Sequence, residues 1–573
     1  TTSGGTATIV FAGANSVTIA PTIAGASAGE GTISITGTVK TFTGEIGGTN
    51  GANNVGAITI ASSQTGTFKN NVAATTITIN TGGEMIIDSA GTPAAITVRG
   101  AINGGSSGVG SLTVQNSGGT TFTGIIGGTR IGVLSITQAT TFQAAVSATI
   151  LSTTAAISNG TTLDISSTSS IGANITTSST QTYTGAVTLT ASTTLTTTNS
   201  NITFNGTVNS NNATPKSLTV SIGSGTLVFG DGTADTVGAT QPLGAISITG
   251  ALDLNAAITS ATSLSVSLTS DLGASVTTSG NQTYSGAVTL SASPTLTSPT
   301  GTILFSSTVD GANTLTVTNS TSTGDVTFTG AVGGTTALTG ITITTDVLTA
   351  AAIKSTGTLS VTNSGSSTIT GVISDGATAL AVTKLGSGTL TLTGNSTYTG
   401  QTTVSAGILN FTPASGFTMT LSGSFVNNAA VEYVGANNGA LYLDGAVSGS
   451  GTWNITAASA GSDQWKNRLS IRSNSSTSTT TSGQFTVTSY GNLWFEGSYV
   501  NSTSAIYLNG ANTRLRFYGL SNPTIRTGIL TGTGTVDFSD AGGGSAITLM
   551  LFLKHLQEFH LVLHLMLIRM LLH

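Results

Sequence analysis

The side chains able to do chemistry are few in this chain. Its 573 residues include 20 Asp plus Glu, 15 Lys plus Arg, four His and no Cys. All four His (His555, His560, His564 and His573) lie beyond residue 548. Everything before them lacks a Ser-His-Asp triad, a His general base and a His-ligated metal. The missing Cys removes disulfides, thiolate-bound zinc and a Cys nucleophile. Carboxylates remain. Asp325 and Asp346 stand 21 residues apart, and Asp231 and Asp253 stand 22 apart. If windings of that length stack, each pair could share a proton or hold calcium. No third acid and no nearby Lys or Arg completes either pair, so solvated turn aspartates are the simpler reading. No catalytic, cofactor-binding or metal-ligating residue is assigned.

A different chemistry gathers in 431–526. This segment holds all three Trp (Trp453, Trp465 and Trp494) together with Arg468, Arg472, Arg514, Arg516 and Arg526. Exposed aromatic rings beside guanidinium groups stack on sugar rings or anchor a protein partner. Trp465, Trp494, Arg514 and Arg516 are therefore the candidate ligand or partner patch. The competing reading is a broader, well-packed end of the fold with arginines on its surface.

Charged residues are 6% of the chain and the net charge is −5, which leaves no basic field for nucleic acid. Gly accounts for 76 residues and Pro for only 8. Disorder pairs low hydrophobicity with high charge; this chain has neither. No n-region and h-region precede Thr1, and no stretch through Thr548 is long and apolar enough to span a bilayer.

The elements that must position these groups come from a repeat. Ala156–Asn209 aligns without gaps on Ala257–Asp310 at an offset of 101 residues, "QTYTGAVTLTAS" becoming "QTYSGAVTLSAS". A finer step of 20 or 21 joins Phe122, Phe142, Leu163, Tyr183 and Phe204. Leu264, Tyr284, Phe305 and Phe328 continue it, and "TFTG" marks the same place at Thr41, Thr121 and Thr327. The register loosens at 205–255 and between Ile369 and Tyr398. Within a unit, apolar residues alternate with Thr and Ser, which is the strand period, and Gly or Asn clusters supply turns. A unit this short cannot bury a core alone, so units must stack. The expectation is an all-β parallel β-helix with coils of about 20–21 residues, large side chains forming an inner column.

"LGSGTLTLTGNSTYTGQTTVSAGIL" (385–409) closely resembles the passenger-associated repeat of bacterial autotransporters. Gly386, Gly388, Thr389, Leu390, Leu392, Gly394, Tyr398, Gly400, Thr402, Val404, Gly407 and Leu409 match it, while Ser396 replaces a usual Asn and Gln401 a common Gly. The resemblance implies a right-handed β-helix displayed on a Gram-negative surface, often as an adhesin. It also implies a C-terminal membrane β-barrel, which these residues do not contain. "FGDGTADTVG" (229–238) is faintly similar to Gly/Asp calcium repeats, but it occurs once, and such sites need tandem copies.

Residues 549–573 break the pattern, with no Gly, Thr, Ser, Ala, Asn or Asp. Thr, Ser and Ala codons with C in the middle, read one base late, begin with C and encode Leu, His, Gln, Arg or Pro. The tail thus reads as an out-of-frame continuation of the repeat. Its other readings are a capping helix, a membrane or partner helix, and a metal site on His560 and His564. The division is then 1–430 β-helix, 431–548 an aromatic and Arg-richer continuation, and 549–573 the atypical tail. The functional expectation is a non-enzymatic adhesin or structural stalk on the cell surface. Its partner is a glycan or protein of a host or neighbouring cell, with membrane contact only through the missing barrel. A self-assembling fibre or surface layer, and a polysaccharide-cleaving β-helix, are the alternatives.

Overall fold

The computed structural model describes all residues except 1–6, 49–51, 90–92, 233, 458–466, 474–479, 498–499, 502–503, 519–523, 540–547, 554–559, 563–568 and 571–573. The described residues contain β-strands and no helix. They fall into two compact units, Thr1–Ser279 and Gly280–His573. Each is a parallel β-solenoid.

In the first unit, Leu163–Ile165, Ser169–Ile171 and Ile175–Thr177 make one coil of three short strands. Gln181–Tyr183, Val187–Leu189 and Thr193–Thr196 make the next, each strand pairing in parallel with its counterpart. Alternation explains the burial: Ile165, Ile171, Tyr183, Val187, Leu189 and Leu195 point inward and are essentially inaccessible. The intervening Thr and Ser face outward, where β-branched Thr is a good strand residue that needs no partner.

Large side chains stack as expected, but not in one column. Phe122 lies over Phe142, rings 5.1 Å apart. Tyr183, Phe204 and Phe229 form a second stack at 5.1 and 5.5 Å. Leu163 does not join the two. It is in register with Val146 and Gln181, and Ile165 is the residue paired with Tyr183. The coils are the reason. Twenty residues separate Phe122 from Phe142, but only seventeen separate Val146 from Leu163 and eighteen separate Leu163 from Gln181. A constant step of 20 therefore slides from one sheet of the coil to the next. Coils lengthen to twenty-five residues from Phe204 to Phe229 and again to Leu254, where the sequence register loosens.

The duplicated Gln-Thr-Tyr has a core role. Gln181 and Tyr183 are both buried, and the Tyr183 hydroxyl donates to Gln181 Oε1 at 3.0 Å. Gln181 Nε2 in turn donates to the Thr196 carbonyl at 3.0 Å. The pair satisfies itself, so a phenol and an amide sit in an apolar interior without orphaned groups.

In the second unit, Tyr284, Phe305 and Phe328 stack at 5.1 and 4.8 Å with their planes nearly parallel. Leu392 to Phe411 is a nineteen-residue coil, and Trp453 to Phe485 takes thirty-two. The described parts of the tail are strands, Thr548–Leu553, His560–Val562 and Arg569–Met570, rather than a capping helix. His564 lies outside the described residues.

The recurrent Gly two residues past the end of a strand is a steric requirement at the corner. A Cβ on Gly423 would lie 1.9 Å from the Gly400 carbonyl oxygen, and one on Gly445 would lie 2.1 Å from that of Gly423. Coils at strand spacing leave no room for a methyl group there. Gly423→Ala is expected to cost about 2 kcal/mol or more. Urea unfolding should show a lower midpoint, and hydrogen exchange should place the loss at the coils around 400–445.

Candidate functional site

The Arg and aromatic patch forms one outward sheet face of the second unit. Ala440–Leu443, Arg468–Ser473, Asn492–Gly497, Arg514–Tyr518 and Thr535–Ser539 pair in register. Leu441, Leu469, Ile471, Leu493, Phe495, Leu515 and Phe517 turn into the core. Alternation therefore sends Tyr442, Ser470, Trp494, Arg516 and Asp537 outward in a single rank.

Cation and ring alternate across this face. The Arg472 guanidinium lies 3.9 Å from the Tyr442 ring centre. Arg468 lies 5.0 Å from Tyr442 and 4.2 Å from Trp494, and also donates to the Tyr442 hydroxyl. Arg516 follows, 4.5 Å from Trp494 and 4.9 Å from Tyr518. Acids complete the arrangement. Arg472 makes a two-point contact with Asp444 at 2.7 and 3.1 Å. Arg516 Nε approaches Asp537 Oδ2 at 3.5 Å. Burial lowers the Arg514 guanidinium below its ordinary range; Asp537 opposes this and Arg516 adds to it.

Trp494 is thus only 5% exposed, with the chain's own arginines against its ring. A sugar ring could not stack on it without displacing Arg468 or Arg516. What faces solvent is Tyr518, 37% exposed, and the outer parts of the Arg472–Asp444 pair. Arg516 is in register with Trp494, and Arg514 with Asn492. Trp465 lies outside the described residues. Trp494→Ala should cost about 3 kcal/mol through the space left between two arginines. A urea melt of the variant showing an unchanged midpoint would contradict the stack.

The two acidic pairs anticipated from spacing do not form. Asp325 is in register with Val347, and Asp346 accepts from the Ser364 hydroxyl at 2.7 Å. Asp253 is in register with Val228, while Asp231 lies past the strand end in an exposed turn. The coil following Asp253 has eighteen residues, so its in-register carboxylate is Asp271. Spacing near 20 could not single out that pair. Asp253 also accepts from Asn255 at 2.9 Å. Among the described residues no group of three or more His, Cys, Asp or Glu could hold a metal ion.

The segment at 382–411 winds through four strands, Ala381–Leu385, Thr389–Leu392, Thr402–Val404 and Ile408–Phe411. Leu390, Leu392, Tyr398, Val404 and Leu409 fill the core, and the Tyr398 hydroxyl shares a hydrogen bond with Thr402 at 2.8 Å. Ser396 accepts from the Ile373 N–H at 3.2 Å. Lys384, which sequence reading passed over, also points inward. Its Nζ donates to the carbonyls of Leu385 (2.6 Å), Gly386 (2.9 Å) and Ala406 (3.3 Å), closing the corner. Burial pushes its pKa down to about 8.

Lysine in an unfolded chain titrates at about 10.4. Between the two values the unfolded chain holds more protons, so this group's contribution to stability rises with pH from about 8 to about 10.4. Lys384→Met should lack that rise. Urea midpoints of the two proteins compared at both ends of the window should diverge in favour of the wild type as pH increases.

Residues 382–411 match the passenger-associated-transport-repeat family. No curated protein and no solved structure matches the chain significantly. A passenger-associated transport repeat wound into the coils of a β-solenoid fits an autotransporter passenger.

Proposed function

We propose that this chain is a passenger secreted from or displayed on a bacterial cell, and that it acts there without catalysis, as an adhesin or structural stalk. The observation that carries this reading is the transport repeat at 382–411, whose Val382, Leu390, Leu392, Tyr398, Val404, Leu409 and Phe411 all go into the core of the stack. The repeat's family implies an exported protein. The absence of His before residue 555 and the separation of the anticipated acid pairs support a role without turnover. The partner class is a glycan or protein on a host or neighbouring cell, and a membrane β-barrel is the proposed anchor.

The arginine–aromatic face fits this role better as a staple than as a sugar platform, because its rings are already occupied. Contact with a partner then falls to exposed groups such as Tyr518 and to the neutral hydroxyl-bearing faces.

Fusing the chain in frame ahead of a transmembrane β-barrel in a Gram-negative host tests the reading. The expected result is a chain cleaved by protease added outside intact cells, and no release of reducing ends from a panel of acidic and neutral polysaccharides. A chain retained inside the outer membrane would refute export as a passenger, and glycan turnover would refute the non-enzymatic role.

A further inference from the structure

One cleft of the second unit brings an uncovered aromatic ring beside polar groups that the fold does not use. Thr389–Leu392 and Ile408–Phe411 pair in register, so the corners that follow them belong to successive coils. Between these corners lies a cleft of about 140 Å³, lined by Thr393, Asn395, Pro413, Ala414 and Phe417. Phe417 is 55% exposed, the only exposed phenylalanine among the described residues. Trp494 has arginines against its ring, whereas among the described residues no other ring and no guanidinium lies against Phe417.

The apolar wall is held in place before any ligand arrives. Pro413 is buried, and its ring fixes φ. Gly416 takes a φ of +77°, and the turn closes with the Phe417 N–H donating to the Ala414 carbonyl at 3.0 Å. The next coil then fixes the loop. The Gly416 N–H and the Ser415 hydroxyl donate to the Asn437 carbonyl at 2.9 and 2.8 Å, and the Ala440 N–H donates to the Phe417 carbonyl at 3.0 Å. Little backbone entropy is left to lose on binding. On the other corner, Asn395 is exposed and its amide makes no hydrogen bond within the described residues. Thr393 Oγ1 has one long contact, 3.5 Å from the Thr370 carbonyl.

We infer that this cleft binds one neutral pyranose ring of a glycan. A cavity of about 150 Å³ takes up a six-membered ring such as benzene, so the volume here suits a single sugar ring. One face of a pyranose carries C–H groups with partly positive hydrogens, which pack on the negative face of an aromatic ring. Its hydroxyls both donate and accept, as do the Asn395 amide and the Thr393 hydroxyl. An apolar side chain of a protein partner would match Phe417 but leave those two groups unused. An acidic sugar or a phosphate would call for a cation, and none of the five lining residues is charged. Between Lys384, which is buried, and Glu432 the chain has no charged residue. The inference rests on the adhesive reading above, for which it names the ligand class and the place of contact.

The test uses the whole purified chain and saturation-transfer NMR. The probes are the methyl glycosides of glucose, galactose, mannose and N-acetylglucosamine, with p-cresol and methyl glucuronoside as comparators. A neutral glycoside should bind, with transfer strongest to the C–H protons of one ring face. Phe417→Ala should weaken binding about tenfold or more, and Phe417→Trp should keep it. Asn395→Ala should weaken it about fivefold. Tyr490→Ala, which removes an exposed ring at another corner, should leave it unchanged. Urea midpoints should match wild type, because these side chains face solvent; should Phe417→Ala melt early, Asn395→Ala decides. Failure of every neutral glycoside to bind overturns the inference. So does undiminished affinity in Phe417→Ala and Asn395→Ala, or the same loss in Tyr490→Ala. Preference for p-cresol overturns it in favour of a partner's aromatic side chain, and preference for the glucuronoside overturns the neutral assignment. Export is scored separately. A chain that binds a glycoside but stays inside the cell sinks the adhesive role and spares the cleft, whereas a displayed chain that binds none sinks the cleft alone.

Discussion

Parallel stacking of one coil on the next is the constraint on which everything else in each unit depends. A single coil offers three short strands with unpaired edges above and below, and half of its inward side chains would meet water. Only a neighbour at strand spacing satisfies both needs at once. That neighbour must present a side chain of matching size at each inward place. Hence aromatic stands on aromatic, as in Tyr284, Phe305 and Phe328, and Gly stands on Gly where the corners touch.

Stacking also dictates how polar groups enter the interior. A corner leaves carbonyls without strand partners, and each must be given a donor. Lys384 does this with an ammonium over three carbonyls, and Gln181 with an amide shared with Tyr183. Asn363 reaches the carbonyls of Gly365 and Thr389 from a fully buried position. These residues look functional in a list of polar side chains, but their reach is inward and their work is to close the coil.

Outward positions are free of that constraint, and the second unit uses them in two ways. On one sheet, arginines and aromatic rings interleave with acids and saturate one another. On another, Thr and Ser repeat in register from coil to coil. The contrast arises from identical backbone geometry, so it lies wholly in the choice of side chains. A face saturated with its own contacts adds cohesion between coils, whereas on a face of neutral hydroxyls the coils are held together by the strand ladders and the core beneath.

The sequence alone determined the strand period, the all-β class, the need to stack and the repeat at 382–411. These are local properties: two-residue alternation comes from the pleat, and a unit too short to close a core must find neighbours. It also placed the arginines and Trp494 in one region. It did not determine which residues meet. Register between coils depends on the summed length of every corner in between, and corners that give coils of seventeen, twenty or twenty-five residues shift a side chain from one sheet to the next. That is why Ile165 rather than Leu163 pairs with Tyr183, why Asp271 rather than Asp231 faces Asp253, and why Trp494 lies beneath arginines. Those neighbours are far apart along the chain, and only the tertiary structure brings them together.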